Sequence, residues 1–201
     1  TYINTAHKVH KIGNEANLWQ EDNLFHRRFL FVGFWREAVR KMGVVLTRVD
    51  FRLIHGQVMT RWLTQTGANE IVTVDTTTSK DPFMVDVFKM AAPKGIRIKV
   101  YDVDQAVKAQ QNGDFDKGKI IVLFKNVAEL KKAVDAGLKL ESVQIGGLGG
   151  GAGRKAVLNA ITLDQKDLDD LLAIQSKGVE VYFQTTPDYP SATLDEIAAK
   201  F

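Results

Sequence analysis

The chain has 201 residues, 45% of them hydrophobic, and no cysteine, which suits one sizeable globular domain and excludes a disulfide scaffold or a thiolate zinc site. Its net charge of +3 comes entirely from residues 1–41. The rest is balanced and lacks the basic run that nucleic-acid binders carry, and the longest apolar stretch, Phe29 to Trp35, is far short of the ~20 residues a membrane helix needs.

Residues 1–41 hold Tyr2, Trp19, Phe25, Phe29, Phe31, Phe34, Trp35 and three of the four histidines, without a sustained helical or strand period. The pattern changes at Met42, which predicts a boundary there: an N-terminal extension or translated leader over 1–41 and one domain over 42–201. The leader reading is preferred and expects no strand from 1–41. The alternative is an extension that packs on a partner.

From Val44 the chain alternates. Val44 to Val49 reads as a β-branched strand and Gly56 to Gln65 as a helix stopped near Gly67. Glu70 to Asp75 is a strand. Asp81-Pro82 starts a helix to about Ala92, with Asp as cap and Pro in the first turn. Ile96 to Tyr101 is a strand, Val103 to Gln111 a helix and Lys119 to Phe124 a strand. Asn126 caps a helix ending before Gly137. Ser142 to Ile145 is a strand entering a glycine cluster. Leu163 to Ser176 is a helix ended by Gly178, Val179 to Gln184 a strand, and Leu194 to Phe201 a short helix. Strands alternating with helices of these lengths predict an α/β fold: an open, mainly parallel sheet with helices on both faces.

Ligands of such sheets sit at the carboxyl ends of strands. The first strand ends at Asp50, followed by Arg52 and His55, so an acid, an arginine and a histidine fall within six residues at the favoured place. His55 is the only histidine after Met42. By spacing alone it also reads as a hydrogen-bonded structural residue, and Asp50–Arg52 as a surface pair of little worth.

The run Arg48-Val49-Asp50-Phe51-Arg52-Leu53-Ile54-His55-Gly56-Gln57-Val58 resembles the signature of IIB subunits of the mannose/fructose/sorbose class of bacterial sugar phosphotransferase systems. Ile145-Gly146-Gly147-Leu148, Gly153-Arg154-Lys155 and Lys177-Gly178-Val179-Glu180-Val181 fit the same family. Phe51 stands where many members carry a polar residue. The resemblance covers residues 42–201 and implies a phosphorelay enzyme without cofactor or metal. A IIA phosphohistidine protein passes its phosphate to Nδ1 of His55, and His55 passes it to a sugar entering through membrane IIC and IID subunits. It implies a cytoplasmic protein, membrane-associated through IIC and IID. It does not name the sugar, and it leaves a homodimer open.

The residue types suit that chemistry. Neutral imidazole is a nucleophile near neutral pH, and phosphoryl transfer needs positioning and charge neutralisation more than covalent help. Arg52 offers a planar fork for phosphoryl oxygens, and the amides of Gly56 and Gln57 open a helix. Asp50 orients either the imidazole or Arg52. A rival reading takes Gly147 to Ala152 as a dinucleotide-binding loop, but that pattern belongs after the first strand and before a helix. The preferred reading is a flexible loop at the active-site end of the sheet, with Arg154 touching phosphate or a partner. Asp167, Asp169 and Asp170 are expected to be solvated charges, not metal ligands. A binding or regulatory protein on the same fold is the second functional class.

Overall fold

The structure, a computed structural model, describes residues 43–201; the expectations for 1–41 lie outside the described residues. Seven strands form one sheet: β1 (Gly43–Asp50), β2 (Glu70–Val74), β3 (Arg97–Tyr101), β4 (Lys119–Phe124), β5 (Ser142–Gly147), β8 (Glu180–Phe183) and β9 (Ala192–Thr193). Their order is β3-β2-β4-β1-β5-β8-β9. All neighbours are parallel except β8 and β9. The strands β6 (Lys155–Leu158) and β7 (Ile161–Leu163) make a separate antiparallel hairpin.

The central strands are apolar on both faces because helices cover both. In β4, Ile120, Val122 and Phe124 join one core, while Ile121 and Leu123 join the other, the period-2 alternation of a strand. The first core packs under α3 (Val103–Gln111), α4 (Val127–Asp135), α5 (Gln165–Ser176) and α6 (Leu194–Ala198). The second packs under α1, a π-helical turn at Val58–Trp62 continuing as Leu63–Thr66, and under α2 (Pro82–Ala91). Each fully buried Leu or Ile contributes roughly 1.5–3 kcal/mol.

Local signals account for the helix ends. Gly67 sits in the left-handed region at φ 62° and closes α1. The Asp81 side chain accepts from the amides of Phe83 and Met84. Asn126 accepts from Glu129 N. Asp102 with Gln105, and Thr193 with Glu196, form reciprocal capping boxes.

The departures lie after β5. Gly146 and Gly147 belong to that strand, residues 148–154 run as a loop, and the chain beyond it, for which no strand was expected, pairs with itself as β6–β7. Leu163 closes β7, and α5 starts two residues later because Asp164 caps it from Asp167 N. The last helix stops at Ala198.

Candidate functional site

The strand order reverses around β1, so its carboxyl end opens a crevice between connections that leave to opposite sides. At that end Asp50 is fully buried. Its Oδ1 accepts from Arg52 N at 3.2 Å and Arg52 Nε at 3.0 Å. Its Oδ2 accepts from Arg48 Nη2 at 3.0 Å and Arg52 Nη2 at 3.1 Å, and lies 3.0 Å from His55 Nε2. The structure thus brings together all three residues singled out in the sequence, with Asp50 touching both His55 and Arg52.

Burial alone would raise the Asp50 carboxyl. Hydrogen bonds from His55 and Arg52 and the charge of Arg48 outweigh it and hold the group well below the usual carboxylate range. An ionised carboxylate only accepts, so in the neutral ring the proton sits on Nε2 and the lone pair on Nδ1. Among the described residues Nδ1 takes no hydrogen bond. The His55 side chain is 15% exposed and that of Arg52 35%, so both reach the surface while Asp50 does not. The expected surface pair of Asp50 with Arg52 is therefore a buried carboxylate under a half-exposed guanidinium.

The backbone that delivers His55 is bent. Phe51 N donates to Gly147 O at 3.0 Å and Leu53 N to Asp50 O at 2.9 Å, which ties the loop to β5 and closes a turn. Leu53 takes φ 54°, a left-handed conformation costly for a side chain of this size. Its burial in the second core, beside Ile54 and Val58, holds it there. No side chain caps the first turn of α1, and Met59 N donates to His55 O at 3.1 Å, which ties that turn to the histidine's backbone.

Arg48 was missed as a site residue in the sequence. It is wholly buried on the same face of β1 as Asp50. Its guanidinium donates to Gln144 Oε1, to the carbonyls of Gln184 and Thr185 at 3.0 Å each, and to Asp50. It lies over the Trp62 ring, 5.2 Å from the centroid. Burial lowers its pKa against the pull of Asp50. The available signal was a cation inside an otherwise apolar central strand. The glycines have a matching reason: a Cβ at Gly146 would overlap the Arg48 guanidinium, and one at Gly147 would meet the Asp50 carboxylate at 3.0 Å.

Arg154 corrects an expectation. Its guanidinium is engaged by Thr162 Oγ1 at 3.0 Å, Thr162 O at 2.8 Å, Asp164 at 2.8 Å and Asp167. It clamps the hairpin to α5 and has no fork left for phosphate. Asp167 is accordingly a partly buried ion-pair partner, and Asp170 pairs with Lys166 at 2.6 Å; neither is a solvated charge. Asp169 is exposed, as expected. Among the described residues no group of His, Cys, Asp or Glu could hold a metal ion, and no helix is long and apolar enough to cross a membrane.

Residues 44–200 match the family model described as "PTS system sorbose subfamily IIB component". The sorbose-specific EIIB component of Lacticaseibacillus casei is 32% identical, over 79% of this chain and 99% of that protein. The mannose-specific EIIAB component of Escherichia coli K12 is 29% identical over 79% of this chain, and this chain spans about half its length, 49%. The crystal structure of the IIBSor domain of the sorbose permease from Klebsiella pneumoniae superposes with a TM-score of 0.73 at 28% identity, covering 80% of this chain and 99% of that one. A crystal structure of manxB from Thermoanaerobacter tengcongensis gives 0.71 at 35% identity, covering 79% and 96%. A parallel sheet with this order, a histidine just past the end of its first strand and these matches agree: the chain belongs to the sorbose-subfamily IIB components of the phosphotransferase system.

Proposed function

We propose that this chain carries a phosphoryl group on Nδ1 of His55. The observation that carries the reading is the 3.0 Å contact of His55 Nε2 with a buried, ionised Asp50, which leaves Nδ1 as the nucleophile. In the forward step the Nδ1 lone pair attacks the phosphorus of a phosphohistidine on a IIA protein. The new N–P bond forms as the partner's N–P bond breaks, and that electron pair returns to the partner's ring nitrogen. Nε2 keeps its proton, so the ring gains positive charge, which Asp50 stabilises. Arg52 turns its fork from Asp50 to the equatorial oxygens, and the amides opening α1 supply further donors.

In the second step a sugar hydroxyl attacks phosphorus, Nδ1 regains its lone pair, and the hydroxyl proton is shed to water. The protonated Nε2 makes the ring a better leaving group. The name of the Escherichia coli relative, an EIIAB component, supports a IIA partner. The neighbour described as part of a sorbose permease supports membrane partners, which we assign as IIC and IID, with the chain on the cytoplasmic side and associated with the membrane through them.

The test is incubation with phosphoenolpyruvate, the general phosphotransferase proteins and a IIA protein. One acid-labile, base-stable phosphate per chain is expected, absent from a folded His55→Ala variant. Full labelling of His55→Ala would move the site elsewhere. No labelling of the unaltered chain would favour a binding or regulatory protein.

A further inference from the structure

Arg48 differs from the other donors around Asp50. Arg52 and His55 reach the surface; Arg48 is fully buried and cannot touch an incoming phosphoryl group. The fold nevertheless builds a complete housing for it. Gly146 leaves the space, Gln144 lies directly across from it on β5, and two carbonyls after β8 accept its protons. The Trp62 ring stacks on it, 5.2 Å from the centroid, and only Nε lacks a partner among the described residues. A buried ion pair of this kind is a poor source of stability, since apolar residues of similar volume often do as well or better. Such a housing calls for another reason.

The hydrogen bonds of Asp50 supply it. In the resting site Arg52 makes two of the side-chain bonds that fix the carboxylate, one to each oxygen. When Arg52 turns to the phosphoryl oxygens, those bonds are lost at the moment the ring charges. The Arg48 bond to Oδ2, the same oxygen that faces His55 Nε2, remains.

We propose that Arg48 is a positioning residue: it holds Asp50 ionised and aimed at His55 throughout the transfer, and so fixes the ring as the Nε2–H tautomer with Nδ1 toward the phosphoryl donor. This rests on the phosphoryl-carrier reading. It divides the work between a buried arginine that stays and a surface arginine that moves. It also ties the segment after β8, through the carbonyls of Gln184 and Thr185, to the state of the site.

The experiment uses the full chain with ¹⁵N-labelled histidine, His55 being assigned by comparison with His55→Ala. The ring-nitrogen shifts report the tautomer, and phosphate uptake from phosphorylated IIA is measured per folded molecule. The unaltered chain is expected to show the Nε2–H tautomer alone. Arg48→Met and Gly146→Ala, which displaces the guanidinium while leaving Arg48 in the chain, are expected to show mixed tautomers. Their uptake should slow about ten- to a hundredfold, by analogy with the loss of an outer partner that orients a metal-bound imidazole. Arg48→Lys should recover part of the rate. If Arg48→Met does not fold, Gly146→Ala and Arg48→Lys decide. Lower unfolding midpoints with unchanged tautomer and unchanged uptake per folded molecule would make Arg48 purely structural and overturn the proposal. If the unaltered chain takes up no phosphate, the carrier reading fails, while the tautomer measurement still decides whether Arg48 positions the ring.

Discussion

Two arginine–aspartate clusters in this molecule have opposite composition. Around Asp50, one carboxylate is shared by Arg48, Arg52 and His55. Around Arg154, one guanidinium is shared by Asp164 and Asp167, with Thr162 taking two more of its protons. The first cluster sets two guanidiniums and an imidazole around a single carboxylate, and one guanidinium and the imidazole reach solvent. In the second the guanidinium makes four hydrogen bonds, has two carboxylates for one positive charge, and is only 18% exposed. An added anion finds a half-exposed guanidinium at the first, and at the second a mostly buried one already held by two carboxylates. Motif reading placed Arg52 in the site and left Arg154 between phosphate and a partner; their partners in the fold separate them.

Substitution should bring out the difference, most strongly at Asp50. Asp50→Asn keeps the shape but leaves Arg48 buried without its counter-ion, and a loss of about 3–5 kcal/mol is expected, the range for breaking a buried pair. Phosphate uptake should fall as well, because the ring loses the charge that stabilises its protonated form. Urea unfolding and uptake kinetics on the same preparations measure both. The pH dependence has a definite sign. Asp50 stays ionised in the fold where an unfolded chain, with an ordinary aspartate near ~3.9, takes up a proton. Its contribution is therefore full above about pH 4 and is lost as pH falls below that, through the depressed value of the folded state. Midpoints followed from neutral pH into acid should drop more steeply in the unaltered chain than in Asp50→Asn. Parallel curves would mean that Asp50 is not the ionised hub.

Arg52→Lys should have a smaller effect, on rate alone. The charge remains but the planar fork is lost, so uptake is expected to slow tens-fold with little change in midpoint. Unaltered transfer kinetics would make Arg52 structural. The smallest effect on function belongs to Arg154→Ala. It should lower stability by about 1–3 kcal/mol through lost charged hydrogen bonds, with uptake per folded molecule unchanged. A matching fall in uptake would tie the β6–β7 hairpin to the reaction and erase the contrast between the clusters.

Much of the fold was legible because its signals are local. Asp81-Pro82, Asn126, Gly67 and Gly178 mark helix ends by side-chain capping or by left-handed backbone, and a strand such as Lys119 to Phe124 needs both faces buried. The hairpin after β5 was not legible. Lys155 to Leu163 is short and carries little alternation, and its pairing is held from outside by the Arg154 clamp on α5. The two-residue strand β9 is defined only by the neighbour it pairs with.

The sequence by itself determined the alternating α/β order, the family resemblance, and the presence of an acid, an arginine and a histidine at the end of the first strand. Those follow from residue type and spacing along one chain. Only the tertiary structure decided which nitrogen of His55 faces Asp50, that Arg48 belongs to the site, and that Arg154 does not. Each of those depends on groups remote in sequence meeting in space: Gln144, Gly146 and Gln184 around Arg48, and Asp167 around Arg154. A guanidinium's role is set by which acceptors reach it first, and in this chain those acceptors lie on other strands and helices.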